Sequence, residues 1–133
     1  LGYIGGAPVS YFVVEEGRVT DWGGCVPLLV EGDLASAPWW LAAPVDSAAT
    51  SLDLGVLGGG CAGTDDLTEV IRVDVTESPN AVEIVVWVRE APISGDMCAG
   101  FAVTLPAQVH LASPLGARTL WDGRTTPATE VAR

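Results

Sequence analysis

Residues 69–90 read EVIRVDVTE, SPNA and VEIVVWVRE, and this stretch decides the fold. In the first run, Ile71, Val73 and Val75 alternate with polar residues, which is the period-two pattern of a half-buried strand. The second run is apolar on both faces in its middle, because Val85 and Trp87 alternate with the other apolar positions. The four turn-forming residues between the runs predict a β-hairpin whose second strand is covered on both sides.

Further strand-like runs occur on both sides of the hairpin, at 9–14, 19–22, 27–30, 39–41, 52–56, 105–111 and 119–121. Turn residues separate them, and no segment has an apolar repeat of helical period over three turns. The best helical candidate is a short turn at 64–69, with Thr64 as its N-cap. The sequence therefore predicts an all-β, antiparallel sandwich-like domain over 1–124 with at most one or two short helical turns, and a C-terminal tail at 125–133.

Composition and charge narrow the classes of partner. The chain has 133 residues and 49% hydrophobic content, which is typical of one folded domain. It has 17 acidic and 6 basic residues, so its net charge is −11. Such a charge disfavours nucleic acid and anionic membrane and leaves a basic protein partner open, although solubility alone also explains it. No apolar run approaches the ~18 to 20 residues of a membrane span.

The three cysteines are the most informative polar residues. Cys61 precedes the first hairpin strand and Cys98 follows the second, so both are expected at the open end of the hairpin. We predict a disulfide between them, with a bridge to Cys25 and free buried thiols as the alternatives. The remaining Cys25 would then be a buried residue or a reactive thiol. No C-x-x-C occurs and the chain has one His, so we assign no metal and no cofactor.

One glycine motif bears on cofactor binding, and the single histidine bears on catalysis. The segment GGGCAG at 58–63 matches G-x-G-x-x-G, but the six residues before Val70 are too few for a crossover helix, which needs at least about 10 to 12 residues. We therefore expect the first three glycines to end a strand and begin a glycine-rich loop. No G-x-S-x-G elbow occurs, and His110 alternates with apolar residues in a predicted strand. We assign no catalytic residue.

The tryptophans indicate a possible contact surface. Trp39 and Trp40 are adjacent, so in an extended segment they point to opposite faces. One of them is a candidate exposed aromatic that stacks on a sugar ring or anchors a protein partner. The alternative is that the outward ring packs under a neighbouring loop. Trp87 and Trp121 are expected in the core.

Three segments carry a resemblance to other proteins: GRVTDWGGC at 17–25, GDMCAG at 95–100 and SPLGARTLWDG at 113–123. They resemble parts of small, uncharacterised proteins of high-GC actinobacteria, many of which are secreted or attached to the cell envelope. The resemblance implies an extracytoplasmic location and supplies no site residues.

We expect a non-enzymatic interaction or structural module that binds a protein or a glycan. A small secreted hydrolase with an unrecognised site and a subunit of a larger assembly are the alternatives, and no oligomeric state is predicted.

Overall fold

The computed structural model describes residues 2–4, 7–10, 13–15, 18–21, 28–63, 65–91 and 99–133, and no helix occurs among them. The strands are β1 (Gly2–Ile4), β2 (Ala7–Ser10), β3 (Val13–Glu15), β4 (Arg18–Asp21), β5 (Leu28–Glu31), β6 (Leu34–Ala37), β7 (Trp39–Leu41), β8 (Ser51–Cys61), β9 (Glu69–Glu77), β10 (Ala81–Arg89), β11 (Gly100–His110), β12 (Thr119–Asp122) and β13 (Thr129–Val131). The prediction of an all-β fold is confirmed.

Strands β9 and β10 form the hairpin that the sequence predicts. They pair antiparallel along their length, with a bulge where the register shifts between Trp87 and Val88. The turn is closed by the Ser78 N–H, which donates to the Ala81 carbonyl at 2.9 Å. The second edge of β10 is also paired, to β12 in parallel over 81–84 and to β6 antiparallel over 86–88. Strand β10 is therefore central, as its two apolar faces indicate.

Two sheets pack face to face in a sandwich-like arrangement. The larger sheet has the order β13-β12-β10-β6-β5-β4-β3, with β9 on the other edge of β10, and the smaller sheet has the order β11-β8-β7. Strands β1 and β2 pair separately. The chain passes from the larger to the smaller sheet at Pro38, between β6 and β7. The core between the sheets includes Leu52, Leu54 and Val56 of β8 and Val82, Ile84, Val86 and Val88 of β10.

The opposite face of β10 is covered by charged side chains. Trp87 is 0% exposed, and its Nε1 donates to Asp74 Oδ2 at 2.8 Å. The guanidinium carbon of Arg72 lies 5.3 Å from the centroid of the Trp87 ring, within the range of a cation–π contact. Arg72 is in turn paired with Glu31 at 3.0 Å. The expectation that the middle of this strand is covered on both sides is confirmed.

The glycine run at 58–60 does not end a strand, so this part of the prediction is wrong. Strand β8 continues through it to Cys61, paired with β11 along the whole run. A Cβ at Gly58 would lie 2.7 Å from Leu105 Cδ1, and one at Gly60 would lie 2.7 Å from Leu67 Cδ2. The glycines therefore permit close packing inside a continuous strand.

The short helical turn expected at 64–69 is also wrong over the residues described, 65–69. Leu67 forms an isolated bridge with Gly60, and the Thr68 N–H donates to the Gly59 carbonyl at 2.7 Å. Glu69 then begins β9. Pairing with β8 prevails here over the local preference for a capped turn, while the N-cap candidate Thr64 lies outside the described residues.

The segment 125–133, expected as a tail, contains β13. This strand pairs antiparallel with β12, from Leu120↔Val131 to Asp122↔Thr129. Beyond it, the Arg133 guanidinium donates to the carbonyls of Gly116 and Arg118 at 2.8 and 2.9 Å. The C-terminal residues thus belong to the larger sheet, because an edge of β12 is available for pairing.

Candidate functional site

The two adjacent tryptophans of β7 have different environments. Trp39 is 5% exposed, belongs to the core, and donates from Nε1 to the Ile84 carbonyl at 3.3 Å. Trp40 is 40% exposed. The opposite placement expected of neighbours in an extended segment is present, and Trp40 is the exposed aromatic residue of the pair.

Trp40 is held against a glycine of the adjacent strand. Gly55 of β8 pairs directly with Trp40 of β7. A Cβ at Gly55 would lie 2.5 Å from both Cε2 and Nε1 of the Trp40 ring, so the indole covers the backbone at this point. Only glycine allows so close an approach. The sequence contains a signal for this contact, because Gly55 interrupts an otherwise alternating strand, but its partner cannot be identified without the register.

We call the outward surface of the smaller sheet around this ring the Trp40 face. Besides Trp40, it consists of Ser51, Asp53, Gly55, Leu57, Gly59, Ala102, Thr104, Pro106, Gln108 and His110. Its middle is apolar, since Leu57 is 43% exposed and Pro106 pairs with Gly55. Its end is polar, where Gln108 Nε2 donates to Asp53 Oδ1 at 2.8 Å. The face therefore has an aromatic centre with a hydrogen-bonding row beside it.

The polar end of the Trp40 face also brings together a serine, a histidine and an aspartate, which the sequence did not indicate. Ser51 pairs with His110 across β8 and β11, and Asp53 follows on the same side of β8. No side-chain hydrogen bond joins Ser51 to His110 among the described residues, and Asp53 is engaged by Gln108. The side chains of Ser51, Asp53 and His110 are all exposed. A hydrolytic site needs its nucleophile and base in hydrogen-bond contact, which this arrangement lacks.

A cleft of about 760 Å³ lies between the hairpin turn and the segment after β11. Its charged groups are engaged with each other, since Arg118 Nη1 lies 2.7 Å from Glu77 Oε2. The Ala112 N–H donates to Glu77 Oε1 at 2.7 Å, and this bond, with the Arg118 pair, holds the pKa of Glu77 below its usual value. Arg118 also donates to the carbonyls of Ser113, Pro114 and Leu115. The Glu77–Arg118 ion pair joins the two loops. Because both groups already have partners, they offer little to a ligand.

Cys61 is the member of the predicted disulfide that the structure describes. It is 4% exposed, ends β8, and pairs with Gly100 of β11. The Ala62 N–H donates to the Ala99 carbonyl at 2.8 Å. Cys98, the residue before Ala99, lies outside the described residues, as does Cys25. The Cys61–Cys98 pairing therefore stays a prediction. The pairing of β8 with β11 places Ala62, next to Cys61, beside Ala99, next to Cys98.

Within the described ranges, no group of three or more His, Cys, Asp or Glu side chains is arranged to hold a metal ion. Nothing in the same part of the chain forms a helix with the length and apolarity that crossing a bilayer requires. Comparison of the chain with models of protein families, with curated proteins and with solved structures finds no match.

Proposed function

We propose that this domain is a non-enzymatic interaction module that acts outside the cytoplasm and binds a protein partner through the Trp40 face. The observation that carries the proposal is the position of Trp40, which is 40% exposed and yet held against Gly55. A large aromatic side chain with little freedom left to lose is the kind of residue on which binding energy concentrates at protein interfaces.

The surroundings of Trp40 favour a protein over other ligands. Leu57 and Pro106 extend an exposed apolar surface around the Trp40 ring, which lies against Gly55. Apolar centres with polar rims are typical of protein interfaces. The net charge of −11 would accelerate association with a basic partner, so we expect affinity to fall as salt is added.

A glycan is the second candidate partner, and one observation favours it. The hydrogen-bonded row of Asp53 and Gln108 lies beside Gly55 and Trp40 on the same face. An indole that stacks on a sugar ring needs such neighbouring groups to bind hydroxyls. Binding of a neutral glycan would be insensitive to salt, which distinguishes it from a basic protein.

The extracytoplasmic location is supported by the predicted Cys61–Cys98 disulfide and by the actinobacterial resemblance, since disulfides persist in oxidising compartments. The hydrolase alternative is weakened by the exposed, unconnected arrangement of Ser51 and His110. The alternative of a subunit in a larger assembly expects a neighbouring chain to complete apolar strands such as the one predicted at 9–14. If that neighbour is a second copy of this chain, sedimentation of the purified chain would detect self-association.

The proposal is tested with three matched truncations, Trp40→Ala, Trp39→Ala and Phe101→Ala. Phe101 is 44% exposed and lies outside the Trp40 face, so it controls for loss of an exposed aromatic side chain. We expect Trp40→Ala to be destabilised less than Trp39→Ala, because the Trp40 ring is only partly buried, and to lose partners from extracellular protein fractions that wild type and Phe101→Ala retain. Trp39→Ala should lose about 3 to 5 kcal/mol of stability because Trp39 is buried.

Two results would refute the proposal. The first is a partner that the wild type and Trp40→Ala retain equally in the same experiment. The second is a Trp40→Ala variant as destabilised as Trp39→Ala, because Trp40 would then be a packing residue. Loss of binding to immobilised glycans, without salt dependence, would favour the second candidate instead.

A further inference from the structure

We infer that a cleft at one corner of the sandwich binds a zwitterionic ligand of amino-acid size. The volume of this corner cleft is about 340 Å³, and its lining includes Ser36, Leu57, Gly58, Gly59, Glu90 and Arg124. That volume is at the small end of the usual range for ligand pockets. The inference does not depend on the proposed function, although Leu57 and Gly59 belong to both the cleft and the Trp40 face.

The cationic side of the cleft is a fixed guanidinium. Arg124 Nε and the Arg124 backbone N–H both donate to the Asp122 carboxylate at 3.0 Å. Asp122 is 8% exposed, and this burial raises its pKa above the usual value despite the hydrogen bonds from Arg124. Neither Nη1 nor Nη2 of Arg124 donates a hydrogen bond to another of the described residues. The outer edge of the guanidinium is thus oriented and available, and its paired donors suit a carboxylate.

The anionic side is the Glu90 carboxylate. Its Oε2 lies 3.2 Å from Thr68 Oγ1, and Thr68 is 3% exposed. The Gly59 N–H donates to the same hydroxyl oxygen at 2.9 Å, which ties this contact to β8. The second oxygen, Oε1, has no hydrogen-bond partner in the described part of the chain. It is therefore available to an ammonium group.

The two charges are not neutralised by each other. No ion pair joins Glu90 to Arg124 among the described residues, and small or apolar side chains such as Ala37 and Leu57 complete the lining. A ligand with a single charge would leave one of the two protein charges without a partner in the cleft. A simple anion would also meet the net charge of −11, whereas a zwitterion carries no net charge. A ligand with a carboxylate, an ammonium group and a short apolar portion would complement these lining residues.

The test uses L-leucine as the probe and follows backbone amide shifts of the full chain by NMR. We expect leucine to shift the amides of Ser36, Gly58 and Gly59 with millimolar half-saturation. The analogue without the carboxylate, 3-methylbutylamine, and the analogue without the ammonium, 4-methylpentanoate, should each bind at least about tenfold more weakly. These comparisons leave the protein unchanged.

The matched variants are Glu90→Gln and Glu130→Gln, which remove the same charge inside and outside the cleft, since Glu130 is exposed on β13. Glu90→Gln should weaken leucine binding at least about tenfold, and Glu130→Gln should not change it. The inference is overturned if leucine shifts no cleft amide, if Glu90→Gln binds like wild type, or if either analogue binds as well as leucine. None of these results bears on partner binding by the Trp40 face, which is measured separately.

Discussion

Replacement of Val86 by Asp tests the central position of β10 most directly. Val86 is 0% exposed and belongs to the core between the sheets. It pairs with Val73 on one side and with Ala37 on the other, so no route to solvent lies along the sheet. An aspartate at this position has no cation to pair with in the core cluster, whose members are all hydrophobic.

The loss of folding free energy caused by Val86→Asp has three contributions. Keeping the buried carboxyl neutral at about pH 7, against an unfolded pKa of about 3.9, costs about 4 kcal/mol at 1.36 kcal/mol per pKa unit. Burying the neutral carboxyl costs about 1 to 3 kcal/mol, and losing the burial of valine costs about 1.5 to 3 kcal/mol. The sum of about 7 to 10 kcal/mol is comparable with the whole stability of a typical domain, about 5 to 15 kcal/mol. We therefore expect Val86→Asp to be largely unfolded at neutral pH.

The control is Val86→Asn, which has nearly the same shape and does not ionise. Because the folded-state pKa of the aspartate is raised, Val86→Asp gains stability as pH falls toward the unfolded pKa. Its deficit relative to Val86→Asn should shrink from about 4 kcal/mol at about pH 7 to about 1.5 kcal/mol at about pH 5. Circular dichroism measures the folded fraction of each variant at each pH, and denaturant unfolding measures the difference in stability wherever both variants fold. If the two variants unfold alike at every pH, or if Val86→Asp melts like wild type, Val86 is not enclosed.

Two further predictions concern the disulfide and the loop-fastening ion pair. Mass spectrometry of a non-reduced digest should show the peptides that contain Cys61 and Cys98 linked; unlinked peptides would contradict the pairing and remove one support for an extracytoplasmic location. Glu77→Gln should lower the melting temperature at neutral pH, since Arg118 then faces a neutral amide. The folded-state pKa of Glu77 is lowered, so its stabilising effect is present above the unfolded pKa and is lost as pH falls through the folded value. The difference from wild type should therefore vanish in acid, and a difference that persists there would show that the carboxylate charge is not responsible.

Local patterns predict the strands and the hairpin because period-two alternation is a property of neighbouring residues. The hairpin predicted at 69–90 is confirmed, and the opposite placement of Trp39 and Trp40 follows from the same rule. The expected alternation is wrong at Ile71, because the bulge in β9 leaves Ile71 38% exposed and packs Val70 against the core instead. The prediction for the glycine run at 58–60 is wrong, because glycine usually weakens a strand interior, whereas β8 continues through this run. Here its role depends on Leu105 and Phe101 of β11, which are far away in sequence.

The two candidate sites depend on contacts that no local pattern contains. The Trp40 face requires the pairing of Gly55 with Trp40, and the sequence gives no indication of that register. The corner cleft requires Glu90 and Arg124 to line the same space, although they follow different strands of the larger sheet. The sequence predicts which residues are extended, while the side chains that meet are determined by sheet order.

One edge of β10 is shared by two strands, β12 and β6, and this arrangement explains why both sites occur in this fold. Because β12 pairs only with 81–84 and β6 only with 86–88, the chain after β12 turns away at the point where the two partners meet. The Ile84 carbonyl accepts bonds there from the Gly123 N–H at 3.0 Å and from Trp39 Nε1 at 3.3 Å. One group of the central strand thus anchors both the turn that presents Arg124 and the tryptophan next to Trp40. Loss of Trp39 should disturb both sites at once, so it cannot separate contact from packing. Trp40→Ala and Glu90→Gln leave this anchor intact, and for that reason they are the variants that test function.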